Sequence, residues 1–429
     1  SPHLTVMENK AVRRMAIMKK LAGTQWGANS RILRQVYTST VRPHLEYASS
    51  SWSTAAKTNT AKLSKIQNAS LRLITGGMKT TPIAAMEKTT GLHSLEERRD
   101  EKLLKQSEKL KRLPSHPLHT RLQEPTINRL KRKSINHTTK VLQRQYSEVL
   151  PQNPHNLELL KDYEDWDTAE VNIQMDITGV GNKEDHSQAE LRSLTLETLD
   201  RDYPPNLWIH AFTDGSAERA VKNGGGGVYI RFPDGSRLTR SIPTGRISTN
   251  FRAEACALLE AVRLLNTTEP LAPNTVILTD CRSLLESVQG SRDQSGILRD
   301  IRRELTILSS RTNLALQWLP SHCGVHGNEE ADRLSKEGSM QDQADHPVSY
   351  REAKTLIKGC FHSSWKTRLN VSTETDAITC LDRKQQVIIF RLRTGHCRLL
   401  SHLYRLKISH TDECPCGTGT QPPEHILQM

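Results

Sequence analysis

Apolar residues change their spacing twice along this chain of 429 residues. Residues 8 to 112 carry them at helical intervals: Arg31 to Val41 and Lys62 to Thr75 form two such stretches, the second with Leu63, Ile66, Leu71 and Leu73 set among Lys and Arg. Gly76, Gly77 and Pro82 punctuate this region. From Leu113 to about Asp202 the period fades among Pro114, Pro117, Pro125, Pro151, Pro154 and the acidic run Asp162 to Asp167, which predicts a linker with local helix. Beyond it, Trp208 to Thr213 alternates as a strand. Four glycines, Gly224 to Gly227, predict a turn, and Gly227 to Phe232 and Arg237 to Ile242 flank Pro233, Asp234 and Gly235 as a hairpin. Thr249 to Asn266 has a helical stripe of Phe251, Ala255, Leu258, Leu259, Val262 and Leu265. A strand at Thr275 to Thr279, two helical stretches from Arg282 to Ser310, a strand at Leu314 to Leu319 and a short helix from Asn328 complete the segment.

Three antiparallel strands followed by alternating helix and strand predict an α/β fold, a mixed five-stranded sheet with helices on both faces. The expected organisation is a basic helical region at 1–112, a partly acidic linker at 113–204, the α/β domain at 205–340 and a helical tail at 341–429 ending in Cys and His. No run of eighteen apolar residues occurs, which argues against a spanning helix. The start at Ser1, inside a helical pattern, suggests a piece of a longer protein.

Charge sharpens this division. Residues 1–150 hold 28 Lys and Arg against 10 Asp and Glu, a balance of +18; residues 151–210 carry −9, and the remainder +4. A basic module joined through an acidic stretch to a nearly neutral one suits a phosphate-backbone grip beside a carboxylate site. All eight cysteines lie after residue 255, a distribution unlike a disulfide framework and consistent with a reducing compartment. Arg129 to Lys133 is a basic run of the kind found in nuclear-import signals or in linkers, so localisation stays open between nucleus and cytoplasm.

The candidate chemistry rests on four carboxylates. Asp214 is expected to end its strand, with Gly215 and Ser216 as a sharp exit. Glu254 falls at the edge of the apolar helical stripe, where an unpaired carboxylate is costly. Asp280 closes the strand Val276, Ile277, Leu278, at the end where open α/β sheets meet ligands. Asp332 is expected to open the helix after the loop from His322 to Gly327. Acids gathered from four separate elements suit two divalent cations. His322 adds a proton carrier that titrates near neutrality.

These residues carry a resemblance to the type 1 ribonuclease H domain: FTDGS around Asp214, STNFRAEACAL around Glu254, ILTD ending at Asp280, and WLPSHCGVHGNEEADRLS with His322 and Asp332. The resemblance covers about a third of the chain. It implies endonucleolytic hydrolysis of the RNA strand of an RNA–DNA hybrid, with Asp214, Glu254, Asp280 and Asp332 holding two Mg²⁺, for which Mn²⁺ can substitute, and His322 assisting proton transfer. It also implies substrate contacts at Gly215, Ser216, Asn250, Arg282 and Asn328. Two departures stand out. Arg282 occupies a position where the bacterial enzymes often have Gln, and the segment after Gly290 is too short and too weakly basic for their hybrid-gripping protrusion.

The flanks resemble parts of a non-LTR retrotransposon reverse transcriptase polyprotein. RILRQVYTSTVRPHLEYASSSW from Arg31 and KLSKIQNASLRLITGG from Lys62, followed by TPIAAMEKTTGLHSLEERR, are similar to its helical thumb; no YADD-type pair accompanies them, so polymerase activity is not claimed. Cys414, Cys416 and His425 offer three zinc ligands, with one residue between the thiols and no fourth ligand. Two competing functions are a catalytically silent nucleic-acid-binding module and a DNA nuclease or integrase of the same fold.

Overall fold

The computed structural model describes residues 2–123, 134–152, 154, 171–181, 185–219, 221–290, 296–371 and 376–428. The acidic run Asp162 to Asp167, the basic run Arg129 to Lys133 and most of the segment just after Gly290 lie outside these. Two compact units emerge, Ser1–Leu150 with Ile357–Met429, and Pro151–Leu356.

The second unit is built on a mixed sheet of order β1-β6-β5-β2-β3-β4. Its strands are β1 (Val171–Gln174), β2 (Trp208–Glu218), β3 (Lys222–Arg231), β4 (Arg237–Ile247), β5 (Asn274–Thr279) and β6 (Asn313–Trp318). β2, β3 and β4 pair antiparallel; β2 with β5, β5 with β6, and β6 with β1 pair parallel. The α/β class and the helices on both faces agree with the sequence reading, and the sheet has six strands where five were expected. The sixth, β1, comes from the stretch read as linker. At four residues it is too short to show alternation, and its parallel partner β6 supplies the pairing.

Side chains alternate between two cores as the strand period requires. Ile209, Ala211, Ile277, Leu314 and Leu316 join Leu258, Val262 and Leu265 of helix Asn250–Thr267, together with Leu284, Leu298 and Ile301 of helices Arg282–Gln289 and Gly296–Ser309. Phe212, Tyr229, Val276, Leu278 and Ala315 face Ala331 and Leu334 of helix His326–Met340, and Leu191 and Leu199 of helix Gln188–Asp202. That last helix, also within the expected linker, starts at a capping box formed by Ser187 and Glu190.

The four glycines do not form a turn: Gly224 to Gly227 lie inside β3. They are there because helix backbones approach the strand. A Cβ on Gly227 would lie 2.0 Å from the Ala331 carbonyl oxygen, and one on Gly225 would lie 2.0 Å from that of Ser335. Glycine weakens a strand by entropy, but here it lets helix His326–Met340 lie directly on the sheet.

The first unit is helical. Helices Pro2–Leu21, Ser30–Val36, Lys57–Thr75 and Ile83–Thr90, with the π-helical turn Tyr37–Val41, share a core of Met18, Leu33, Tyr37, Leu63, Leu71 and Met86, to which Phe390 of helix Arg383–Thr394 contributes. Residues 1–150 and the tail from 357 therefore build one body. Helix Lys57–Thr75 stops at Gly76, whose φ of +70° is left-handed. Among the described residues no helix is long and apolar enough to cross a membrane.

Candidate active site

Strand register places the first two acids. Thr213 of β2 stands opposite Thr279 of the parallel neighbour β5, so Asp214 and Asp280, one residue further on each, are side by side. Asp214 does not end its strand, since β2 continues to Glu218. Gly215 has another role: a Cβ there would sit 2.0 Å from the Glu254 backbone nitrogen. Its absence lets helix Asn250–Thr267, capped by the Thr249 side chain, press onto β2 and bring Glu254 to the strand.

The result is a compact group. Carboxylate oxygens of Asp214, Glu254 and Asp280 lie within 4.8 Å of one another. Asp214 and Glu254 are buried, with 8% and 7% of their surface exposed. The Ser335 hydroxyl donates to Asp214 Oδ2 at 2.6 Å, and Trp318 Nε1 donates to the Asp280 carbonyl at 3.1 Å. Burial pushes the Asp214 carboxyl from its ordinary 3.8 up to about 6; the Ser335 hydrogen bond opposes this, and Asp280 and Asp332 add to it. Burial also raises Glu254 well above the usual range, helped by the charges of Asp214 and Asp280 and opposed by a hydrogen bond from the Gly215 backbone.

A crowded, desolvated set of acids is unfavourable unless protonated or shared with a cation. Glu254 Oε2 is buried without a hydrogen-bond partner among the described residues. An all-oxygen donor set with an orphaned carboxylate oxygen fits a hard divalent cation such as Mg²⁺.

The fourth acid belongs to an adjacent group. Asp332 lies within helix His326–Met340, not at its start, and the helix runs for 15 residues. Its carboxylate accepts from Lys336 Nζ at 2.6 Å, and it forms a cluster with His322 and Glu329 whose ligand atoms lie within 4.8 Å of one another. Its charge still bears on Asp214 and Glu254. His322 is exposed with a left-handed φ of +55°, a sparsely populated conformation for a residue with a Cβ.

The candidate substrate contacts lie on the elements that carry the four acids or, for Arg282, just after Asp280. Asn250 is exposed at the first turn of the Glu254 helix. Ser216 Oγ and Asn328 Oδ1 are buried without hydrogen-bond partners among the described residues. Arg282 lies 6.0 Å from the centroid of the Trp318 ring and contacts Asp176 at 3.5 Å and Glu286 at 3.3 Å.

Sequence reasoning missed Ser335, Lys336 and Glu329. All three lie three or four residues from Asp332 on one helix, so the i±3 and i+4 rule could have identified them. In the other unit, Cys414, Cys416 and His425 also converge within 4.8 Å, with Cys416 Sγ 3.1 Å from His425 Nε2. Hydrogen bonds from Thr418, first among several, lower the Cys416 thiol to about 6. All eight cysteines are free.

This mixed sheet, with three clustered acids beside a His-bearing loop, is the arrangement expected of the RNase H class. The RNase H family model matches residues 208–340. Ribonuclease H of Nitrosomonas eutropha (strain DSM 101675 / C91 / Nm57) is 32% identical over 149 residues, spanning 30% of this chain and 88% of the relative. Ribonuclease H of Jannaschia sp. (strain CCS1) is 28% identical over 144 residues, with the same shares. The solved structure of RNase H1 from the halophilic archaeon Halobacterium salinarum NRC-1 aligns at 21% identity over 30% of this chain and 96% of that one, with a TM-score of 0.26. The chain belongs to the ribonuclease H family and is a ribonuclease H enzyme.

Proposed function

We propose that this chain cleaves the RNA strand of RNA–DNA hybrids endonucleolytically, using two divalent cations. The observation that carries the reading is the Asp214, Glu254 and Asp280 group with its buried, unpartnered Glu254 oxygen. These three residues, with Asp332 from the adjacent cluster, would hold Mg²⁺ or Mn²⁺. Such cations lower the pKa of the attacking water and offset charge on the leaving oxygen.

The protein's own groups do the rest. Ser335 fixes the Asp214 carboxylate, and Gly215 holds Glu254 through its backbone N–H. His322, exposed beside Asp332, is suited to carrying a proton to or from the scissile phosphate region. Gly215, Ser216, Asn250, Arg282 and Asn328 are the proposed hybrid contacts, reading 2′-hydroxyls across a shallow minor groove.

We read the remainder as the setting of this activity. The helical region and tail are those of a non-LTR retrotransposon reverse transcriptase polyprotein whose other parts lie outside this chain, and RNase H would remove its RNA template. Cys414, Cys416 and His425 would take Zn²⁺.

The test incubates the chain and an Asp280→Asn variant with Mg²⁺ and a hybrid labelled on its RNA strand. Wild type should cut and the variant should not. Binding without cleavage by wild type would favour a silent binding module, and equal cutting of duplex DNA would favour a DNA nuclease.

A further inference from the structure

Two of the three longest stretches of this chain without an acidic residue lie far apart in sequence; the third is residues 9–45. Residues 47–86 hold five Lys and Arg and no Asp or Glu, and residues 383–411 hold seven and none. They are 297 positions apart at their nearest ends, yet within the helical unit they meet at one place, the turn after helix Lys57–Thr75.

The contacts that join them are specific. Arg383 donates to the Leu73 and Ile74 carbonyls at 2.7 and 2.5 Å, satisfying the open end of that helix. Arg391 Nε donates to the Gly76 carbonyl at 2.8 Å. The exposed Thr80 hydroxyl lies 3.1 Å from His396 Nδ1 and 3.2 Å from His402 Nε2, and the two imidazoles pack edge to face at 4.8 Å. Exposed Arg398 and Arg405 flank this spot.

Cations here crowd other cations. Arg398 disfavours the charge on Arg391, and Arg405 disfavours that on His396 and His402, in each case adding to burial. Arg393 is the exception, paired with Asp376 at 2.5 Å. A folded protein that gathers positive groups without intervening carboxylates gains from a polyanion at that surface. Guanidinium forks match phosphate oxygens, and a hydroxyl with two imidazoles supplies further donors.

We propose that the face formed by the Gly76–Thr80 turn with Arg391, His396, Arg398 and Arg405 is a nucleic-acid backbone grip of the helical unit. This deepens the nuclease reading by naming where nucleic acid is held, and it moves part of the hold from residues 1–150 into the tail. Binding does not depend on cleavage, so a failure of the nuclease reading would leave the test below intact.

The experiment measures anisotropy of a labelled RNA–DNA hybrid with the full chain in EDTA, from 50 to 200 mM NaCl. An R398Q/R405Q pair is compared with K10Q/K19Q, which removes the same charge from exposed positions of helix Pro2–Leu21. We expect the first pair to weaken binding about tenfold or more and to flatten the salt slope by one to two, since each lost phosphate contact removes about 0.9. The control pair should leave the slope nearly unchanged, and R398K/R405K should recover most of the affinity. Equal losses from both pairs, or no loss from the first, would overturn the proposal. So would binding to phosphatidylserine-containing vesicles that matches hybrid binding and falls equally in R398Q/R405Q, because the face would then be a general anionic-surface contact.

Discussion

The sheet unit and the helical unit handle charge in opposite ways. In the sheet unit like charges are forced together inside the protein: Asp214 and Asp280 are fixed by strand register, and Glu254 by a helix that glycine admits to the strand. In the helical unit positive groups are spread over a surface around an αL turn, and buried Arg383 is spent on helix carbonyls. Under the proposed function, the difference would separate catalysis from holding. A carboxylate cluster held by backbone geometry tolerates little change, whereas a distributed grip should lose affinity in steps.

The largest effect that would test this contrast is removal of a clustered acid. Glu254→Gln should lower cleavage by on the order of a thousandfold or more, with binding to the hybrid nearly unchanged. Comparable losses from single surface arginines would erase the distinction.

Packing comes next. Gly227→Ala puts a methyl where the Ala331 carbonyl stands and should destabilise the sheet unit by about 3 kcal/mol, read as a lowered denaturation midpoint. An unchanged midpoint would mean that helix His326–Met340 is not held that close to β3.

Acidity gives a third test. The folded-state pKa of Asp214 is raised, so its protonated form is the favoured one: the associated stability is full below about pH 4 and is lost as pH rises through about 6. In metal-free protein Asp214→Asn should therefore be the more stable chain above pH 6, by up to roughly 3 kcal/mol, with the gap closing towards pH 4. Mg²⁺ should stabilise wild type more at pH 8 than at pH 5, because binding displaces protons. Thermal melts across this range with and without Mg²⁺ would show it, and a gap that widens at low pH would contradict the assignment.

The smallest effect concerns the tail. Zn²⁺ should bind the full chain weakly and release protons, and Cys416→Ser should abolish that signal without changing hybrid cleavage. Retained zinc uptake in the variant would place the metal elsewhere.

Much of the sheet unit could be read from sequence because its signals are local. The Thr249 to Asn266 stripe announced its helix, and the apolar run before Asp280 announced β5. The misreadings share one cause. Gly215 and Gly224 to Gly227 look like turns by local preference, but they are strand residues chosen for what packs against them, which only tertiary structure reveals. Likewise β1 is defined by its partner β6, and nothing in Val171 to Gln174 alone marks a strand. Asp332 is placed seven residues into a helix whose polar first turn, His326 to Glu329, hides its start.

If the buried acids cut RNA in a hybrid, strand-resolved cleavage will show it. The hybrid carries different labels on its RNA and DNA strands and is incubated with the full chain in Mg²⁺ or in EDTA. RNA fragments with 5′-phosphate ends are expected in Mg²⁺, with an intact DNA strand and no products in EDTA. An RNA strand left whole in Mg²⁺, or both strands cut alike, would contradict this reading.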